Sequence, residues 1–387
     1  MITYLDNAAT TFPKPNSVYS EVLRCMSRYC GNPGRGSHSL SLEASKKVYE
    51  CRAQLAEMFG VSELERIIFT LNTTYALNTV IKGLLKKGDH VIISDIEHNA
   101  AYRPVYKMAQ GGDIEYDVFS SMMNCPRRSP TLICAKIAAL LRPNTRMVIC
   151  AHSSNICSLS LPIKEIGEFC RKHGLYFVVD AAQSAGHTAI DVDSMNISAL
   201  CFPSHKGLYG PQGVGVIALG KEVLPDTLIE GGSGVNSLDA FMPDILPERY
   251  ESGTLPTPTI AGLSEAIKEL SIIGLSSVYE HEAELFRYAR ETLCNIDNLS
   301  LYAPSYVGST MLFNIGTLFS ETIAQELNKH GICVRGGFHC APLAHRTLGT
   351  LDNGGVRISF GIFNKKQDVD KLASALTIIN KEFYSSH

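Results

Sequence analysis

The stretch Phe202-Pro-Ser-His-Lys-Gly-Leu-Tyr-Gly-Pro-Gln-Gly-Val-Gly215 sets one lysine, Lys206, between a short apolar run and a glycine-rich turn. The turn leads into a second apolar run, Val214–Leu219. A nucleotide fingerprint would open a helix at that point, so the context is wrong for a Rossmann or P-loop site. Upstream, Leu175-Tyr-Phe-Val-Val-Asp-Ala-Ala-Gln-Ser-Ala-Gly-His187 ends another hydrophobic run on Asp180. Short apolar runs bounded by turn residues, without strict alternation, are the mark of strands buried on both faces.

Working outward, the same texture predicts strands at Arg66–Thr70, His90–Ser94, Ile114–Phe119, Arg146–His152, Tyr176–Asp180, Ala199–Pro203 and Val214–Leu219. Helical patterns sit between them, such as Ser41–Phe59, Ala76–Leu85, Thr131–Leu141 and Pro162–His173. The alternation predicts an α/β fold with a mostly parallel seven-stranded sheet. After Glu251-Ser-Gly-Thr-Leu-Pro-Thr-Pro258 the texture changes. A long helical stretch from near Ile260 is followed by strands near Ser309–Ile315, Ile332–Arg335 and Val356–Phe360. Helices at Glu321–His330 and Gln367–Phe383 complete a smaller α+β unit. We therefore expect a large domain over 14–255 and a small one over 256–387, with residues 1–13 packing on the latter.

The composition fits a globular chain of 387 residues with 45% apolar and 19% charged residues and a formal net charge of −3. No basic tract points to nucleic acid, and no apolar run reaches the roughly 20 residues of a membrane span. The N-terminus lacks the features of a signal peptide, which reads as soluble and cytoplasmic. Twelve cysteines are scattered without a Cys-x-x-Cys pair, so metal ligation is poorly supported. Most of these thiols are expected in the core.

In an open α/β sheet, ligands bind beyond the carboxyl ends of the strands. Asn72, His152, Asp180 and Ser204 all fall at or just after predicted strand ends. A lysine for a Schiff base and an aspartate for a pyridinium nitrogen are what a pyridoxal 5'-phosphate (PLP) site needs. Most lysines are solvated and most strand-end aspartates cap helices. The small-residue run after Asp180 and the glycine turns after Lys206 favour the cofactor reading. Leu71-Asn-Thr-Thr-Tyr-Ala-Leu-Asn78 opens a helix, where backbone N–H groups and Thr hydroxyls can hold a phosphate. In Ile96-Glu-His-Asn-Ala100, His98 is either structural or stacked on a ring. Arg357, flanked by apolar residues, needs an anion, either a substrate carboxylate or an internal Asp or Glu. Cys340 follows His339 in a Gly/Pro-bounded loop with Arg335 nearby, where positive charge favours a thiolate.

Several further segments complete a pattern: Tyr4-Leu-Asp-Asn-Ala-Ala-Thr-Thr11, Gly31-Asn-Pro-Gly-Arg-Gly-Ser-His38, Glu97-His-Asn, His152-Ser-Ser-Asn155, Arg249-Tyr-Glu-Ser-Gly-Thr254 and Arg335-Gly-Gly-Phe-His-Cys340. Together they resemble the class V aminotransferase superfamily, and within it the cysteine desulfurase / selenocysteine lyase family. The compact cysteine loop resembles the group II (Suf-type) branch. One departure stands at Asn155-Ile-Cys-Ser158, where the family more often has Thr or Cys followed by Gly.

The resemblance implies a PLP-dependent transferase of fold type I, a homodimer with its active sites at the subunit interface. It implies that Lys206 holds PLP as a Schiff base and moves protons, that Asp180 meets the pyridine nitrogen, and that His98 stacks on the ring. Gln183 and Asn155 would bond the ring oxygen or substrate. Thr73, Thr74, Ser204 and His205 would hold the phosphate, with Ser233 reaching the partner's phosphate. Arg357 would take the substrate carboxylate, with Asn155, Arg335 and His38 nearby. Cys340 would accept sulfur from L-cysteine as a persulfide, leaving alanine, and pass it to an acceptor protein. Selenocysteine lyase activity, or another class V aminotransferase or β-lyase reaction, are the alternatives.

Overall fold

The computed structural model describes residues 2–34 and 36–384. Its centre is a seven-stranded sheet in the order Ile67–Thr70, Gly215–Leu219, Ala199–Pro203, Tyr176–Asp180, Thr145–Ala151, His90–Ser94 and Glu115–Phe119. Gly215–Leu219 runs antiparallel to both of its neighbours, and every other pairing is parallel. All seven strands lie within two residues of the positions predicted from the apolar runs.

The continuous apolar runs have a simple cause. Successive side chains on a strand point to opposite faces, and here both faces are covered. Val148, Phe177 and Val179 enter one core. Met147, Ile149 and Val178 enter the other. The edge strand Glu115–Phe119 is different, being partly exposed and acidic. Arg142 bonds Glu115 at 2.5 Å and Asp117 at 2.6 Å along it, charge that blunts the edge against further pairing.

A second, antiparallel sheet is ordered Arg335–Gly337, Gly355–Ser359, Thr310–Ile315, Leu299–Tyr302. Helices Leu275–Leu293, Ser320–Lys329 and Lys366–Tyr384 contribute to its core. Thr3–Tyr4 pairs with Ile332–Cys333, and Asp6 bridges to Ser359. The chain then crosses to the large sheet, where Thr10 and Thr11 bond the His205 carbonyl at 3.1 and 3.2 Å. The N-terminal strap thus ties the two sheets together beside Lys206.

Where a single long helical stretch was expected after residue 256, there are two helices. Gly274, at φ +84°, separates Thr257–Ile273 from Leu275–Leu293. Thr257–Ile273 packs against helices Asn16–Arg28 and Ser39–Met58 of the larger unit. Helix Asn99–Gln110, not among the helical patterns named from the sequence, tolerates Pro104 in its interior. Six of the twelve cysteines are buried and three are exposed, so the core holds half of them rather than most. All twelve are free thiols. Among the described residues no helix is long and apolar enough to cross a membrane.

Candidate functional site

Beyond the carboxyl ends of the parallel strands lies a cleft of about 250 Å³. It is lined by Thr73, Thr74, His98, Asn155, Asp180, Gln183, His205, Lys206, Arg335 and Arg357, among others. The structure therefore gathers ten of the residues singled out from the sequence.

Two glycines explain why the floor closes. A Cβ on Gly207 would meet the His187 ring at 2.3 Å and the Ala185 carbonyl at 2.4 Å. A Cβ on Gly215 would fall 2.3 Å from the Asn72 backbone. Only bare backbone lets the Lys206 turn press against the segment after Asp180, and lets the reversed strand approach the Asn72 cap.

Asp180 ends its strand buried, with Oδ1 accepting the Ala182 N–H at 2.9 Å. Burial raises its pKa, opposed by that hydrogen bond and by the charge of Lys206. Lys206 is half-buried at the cleft floor. Burial lowers its pKa to about 8 against the pull of Asp180, and the charges of Arg357 and Arg335 add to the lowering. Near neutral pH about a tenth of Lys206 is then a free amine, the form that attacks a carbonyl or takes a proton.

His98 caps helix Asn99–Gln110, and its Nδ1 accepts the Ala100 N–H at 3.0 Å. The neutral ring therefore carries its proton on Nε2. Burial first, then nearby Lys206, pushes its pKa to about 4. Behind it Glu97 is fully buried, and desolvation raises its pKa to about 8. Its Oε1 accepts from the Ser94 hydroxyl and, at 2.7 Å, from the Ala151 N–H.

At one end of the cleft, Asn72 caps helix Thr73–Leu84 by accepting the Tyr75 N–H at 3.1 Å. The first N–H groups of a helix have no intrahelical acceptor. Among the described residues, Thr73 Oγ1 and His205 Nδ1 are both buried without a partner. Burial, Lys206 and Lys14 push the His205 pKa to about 4. A hydroxyl and free backbone N–H groups at a helix N-terminus make an anion site.

At the other end, Arg335 and Arg357 are paired across two strands. Arg357 is 1% exposed, bonds Asp6 Oδ1 through Nη2 at 2.7 Å and the Asn155 carbonyl through Nη1 at 3.0 Å. The internal carboxylate partner considered for Arg357 is thus present. Its Nε has no partner among the described residues. Asn155 donates Nδ2 to the His339 carbonyl at 2.7 Å, and its buried Oδ1 has no partner among the described residues. Gln183 donates to the Ala8 carbonyl at 3.0 Å. The departure Ile156-Cys157 packs into the core without displacing Asn155 from the cleft.

Four expected residues, Ser204, His38, Ser233 and Cys340, are not among those lining the cleft. Ser204 is fully buried, and its hydroxyl bonds the Pro211 carbonyl, shaping the glycine turn from within. His38 caps helix Ser39–Met58, its Nδ1 accepting the Ser41 N–H at 3.3 Å. Ser233 lines a different concavity with Tyr49 and Glu248. Cys340 is exposed and follows His339, which does line the cleft. Sequence reasoning gave no role to Asp6 or Lys14. Lys14 donates to the His205 carbonyl at 2.8 Å, and burial lowers its pKa to about 7. Its only sequence signal was its place just after the Tyr4–Thr11 motif.

Comparison with known proteins places the whole chain among relatives of one family. The aminotransferase class-V family model matches residues 3–372. A probable cysteine desulfurase of Methanothermobacter thermautotrophicus is 32% identical over 381 residues, covering 96% of this chain and 93% of that protein. A cysteine desulfurase of Yersinia pestis is 32% identical over 398 residues, covering 98% and 94%. The apo structure of cysteine desulfurase from Thermococcus onnurineus superposes with a TM-score of 0.89 at 29% identity, covering 98% and 95%. The cysteine desulfurase CsdA of Escherichia coli, in an S-sulfonic acid form, gives 0.87 at 25%, covering 99% and 95%. The architecture is the PLP-dependent transferase fold type I. With its family model matched almost end to end and its closely covering relatives cysteine desulfurases, the chain belongs to the class-V aminotransferase family.

Proposed function

We propose that the protein is a PLP-dependent cysteine desulfurase of the group II type. The observation that carries this reading is one cleft holding Lys206 and Asp180, with the exposed Cys340 next to its lining residue His339 and two arginines at the same end. The residues present fit PLP. The unpaired Thr73 hydroxyl suits its phosphate, as does His205 Nδ1 in the tautomer that carries hydrogen there, and Thr74 stands beside them. Asp180 suits a protonated pyridine nitrogen, His98 a ring face, and Gln183 and the unpaired Oδ1 of Asn155 the ring hydroxyl. Bound there, PLP supplies an electron sink that stabilises negative charge at the Cα of an attached amino acid.

The chain supplies the rest. Arg357, assisted by Arg335, orients the substrate carboxylate; its Nε is the buried donor still open. The neutral amine of Lys206 takes the Cα proton and later returns protons to carbon. The Cys340 thiolate attacks the substrate sulfur. An S–S bond forms, and the Sγ–Cβ bond breaks with its electron pair on carbon. Sulfur is oxidised and carbon reduced, so L-cysteine and the Cys340 thiol give L-alanine and a Cys340 persulfide with no outside oxidant. The exposed position of Cys340 suits delivery of the outer sulfur to an acceptor protein.

The reading includes a homodimer. Ser233 stands apart from its own cleft, on an irregular segment that exposes Leu238 and Phe241, and a second copy would bring Ser233 to the neighbouring site. Twelve free thiols suit a reducing compartment, the cytoplasm. The test is to incubate the PLP-loaded protein with L-cysteine without reductant, measuring alanine and the mass of the Cys340 peptide. Alanine with a one-sulfur mass gain is expected. Aminotransferase or β-lyase products with an unmodified Cys340 would overturn the reading.

A further inference from the structure

Cys340 and the residue before it share an uncommon backbone. His339 has φ +51° and Cys340 φ +55°. Two successive side-chain-bearing residues in the left-handed region hold that shape only when their surroundings fix it. The fixing contacts come from several segments. Asn155 Nδ2 bonds the His339 carbonyl at 2.7 Å, and the Asn99 N–H bonds the Cys340 carbonyl at 2.7 Å. The Ala341 N–H reaches back to the Phe338 carbonyl at 2.9 Å.

The remaining anchor is the His339 ring. Its Nε2 lies 3.0 Å from the Arg335 carbonyl, and its Nδ1 lies 3.3 Å from Nε2 of His345. Nδ1 of His345 lies 2.7 Å from the Thr350 hydroxyl. These contacts allow one assignment of protons. A carbonyl only accepts, so His339 Nε2 carries hydrogen. In the neutral ring Nδ1 then accepts, which requires hydrogen on His345 Nε2. That leaves His345 Nδ1, at 2.7 Å, to take the Thr350 hydroxyl hydrogen in preference to the His345 carbonyl 3.4 Å from the same oxygen. His345 is fully buried and Thr350 nearly so, and the two rings stack at an interplanar angle of 11°. Burial keeps both rings neutral, as the chain of bonds requires.

We infer that His345, through His339, is the positioning residue that holds the Cys340 thiol in its left-handed setting at the cleft rim. Both ring nitrogens of His339 are committed, so His339 is a fixed wall of the cleft and not its acid or base. This rests on Cys340 being the sulfur-accepting thiol.

The experiment compares His345→Leu, His345→Gln and Thr350→Val with wild type as PLP-loaded full chains. Steady-state alanine production and hydrogen exchange over residues 335–345 are both measured. Leucine removes the donor to His339, whereas glutamine keeps an N–H at a similar reach. For His345→Leu we expect kcat to fall at least tenfold with the cysteine KM within twofold, and faster exchange confined to 335–345. His345→Gln should recover most of both. Should leucine cost the fold, Thr350→Val releases the far end of the relay at nearly constant volume and should move both readouts the same way. Leucine or valine variants that turn over and exchange like wild type would overturn the inference. So would a glutamine variant no better than leucine. A wild type that forms no Cys340 persulfide would fail the desulfurase reading instead, and the exchange comparison would still judge the relay.

Discussion

Arg357 and Asp6 lie 351 residues apart in sequence, yet their side chains meet at 2.7 Å in the wall of the cleft. A buried guanidinium needs a negative partner, and here the partner arrives on the N-terminal strap. One carboxylate occupies Nη2 while Nε stays open, so a second anion would share the fork rather than replace Asp6. Lysine has no such fork. Arg357→Lys should raise the cysteine KM at least tenfold, with a smaller fall in kcat. Asp6→Ala strands the buried charge and should lower stability by about 3 kcal/mol, read from the urea midpoint.

Lys206 gives a pH prediction that does not depend on the substrate. Only the neutral amine attacks the aldehyde of added PLP, and the Lys206 pKa is lowered to about 8. The rate of PLP incorporation into apo-protein should climb with pH and level off above about 8, not near the ordinary lysine value of about 10.4. Asp180 is the charge that raises the Lys206 pKa most, ahead of Asp6. Asp180→Asn should therefore move the inflection to lower pH while weakening retention of the cofactor. An unmoved inflection would separate the two residues.

The two positions that drew attention in the sequence, Lys206 and Asp180, were legible because each follows an apolar strand and small residues follow it. Both strands are buried on two faces, which leaves a run too apolar to misread. Ser204 shared the same strand-end position but not the same direction. Its hydroxyl turns to the Pro211 carbonyl, a choice fixed by the glycine turn seven residues on. Helix Asn99–Gln110 was hidden by Pro104, since a proline inside a helix normally breaks it. The Asp6–Arg357 pair was hidden for another reason. Pairings between distant segments depend on topology, and the two-residue strand Thr3–Tyr4 that delivers Asp6 is too short to carry a periodic signal.

Gly215 tests the fit between the reversed strand and the anion end of the cleft. An added methyl would stand 2.3 Å from the Asn72 backbone, and backbone cannot swing aside as a side chain can. Gly215→Ala should push the Asn72 cap outward and with it the first turn of helix Thr73–Leu84. Overpacking of this kind costs about 1–3 kcal/mol. The expected result is a PLP affinity at least tenfold weaker by titration of cofactor absorbance, alongside a lower urea midpoint. A variant with the lower midpoint and unchanged affinity would detach Thr73 from the phosphate.

Glu97 supplies the last prediction. Its carboxyl is fully buried, one oxygen has no partner among the described residues, and desolvation lifts its pKa to about 8. In the unfolded chain a glutamate titrates near 4.3. Between those values the folded state binds the proton and the unfolded state releases it. Stability from this group is therefore complete below about pH 4.3 and is lost as pH rises toward 8. Glu97→Gln keeps an oxygen for the Ser94 hydroxyl and the Ala151 N–H but cannot ionise. Near pH 4.5 the variant and wild type should unfold at similar urea concentrations. At pH 8 the variant should be the more stable, by an amount on the order of a few kcal/mol. Parallel stability curves over pH 4.5 to 8 would mean that Glu97 is ionised in the fold, and its unpartnered oxygen would then need a cation or donor beside it.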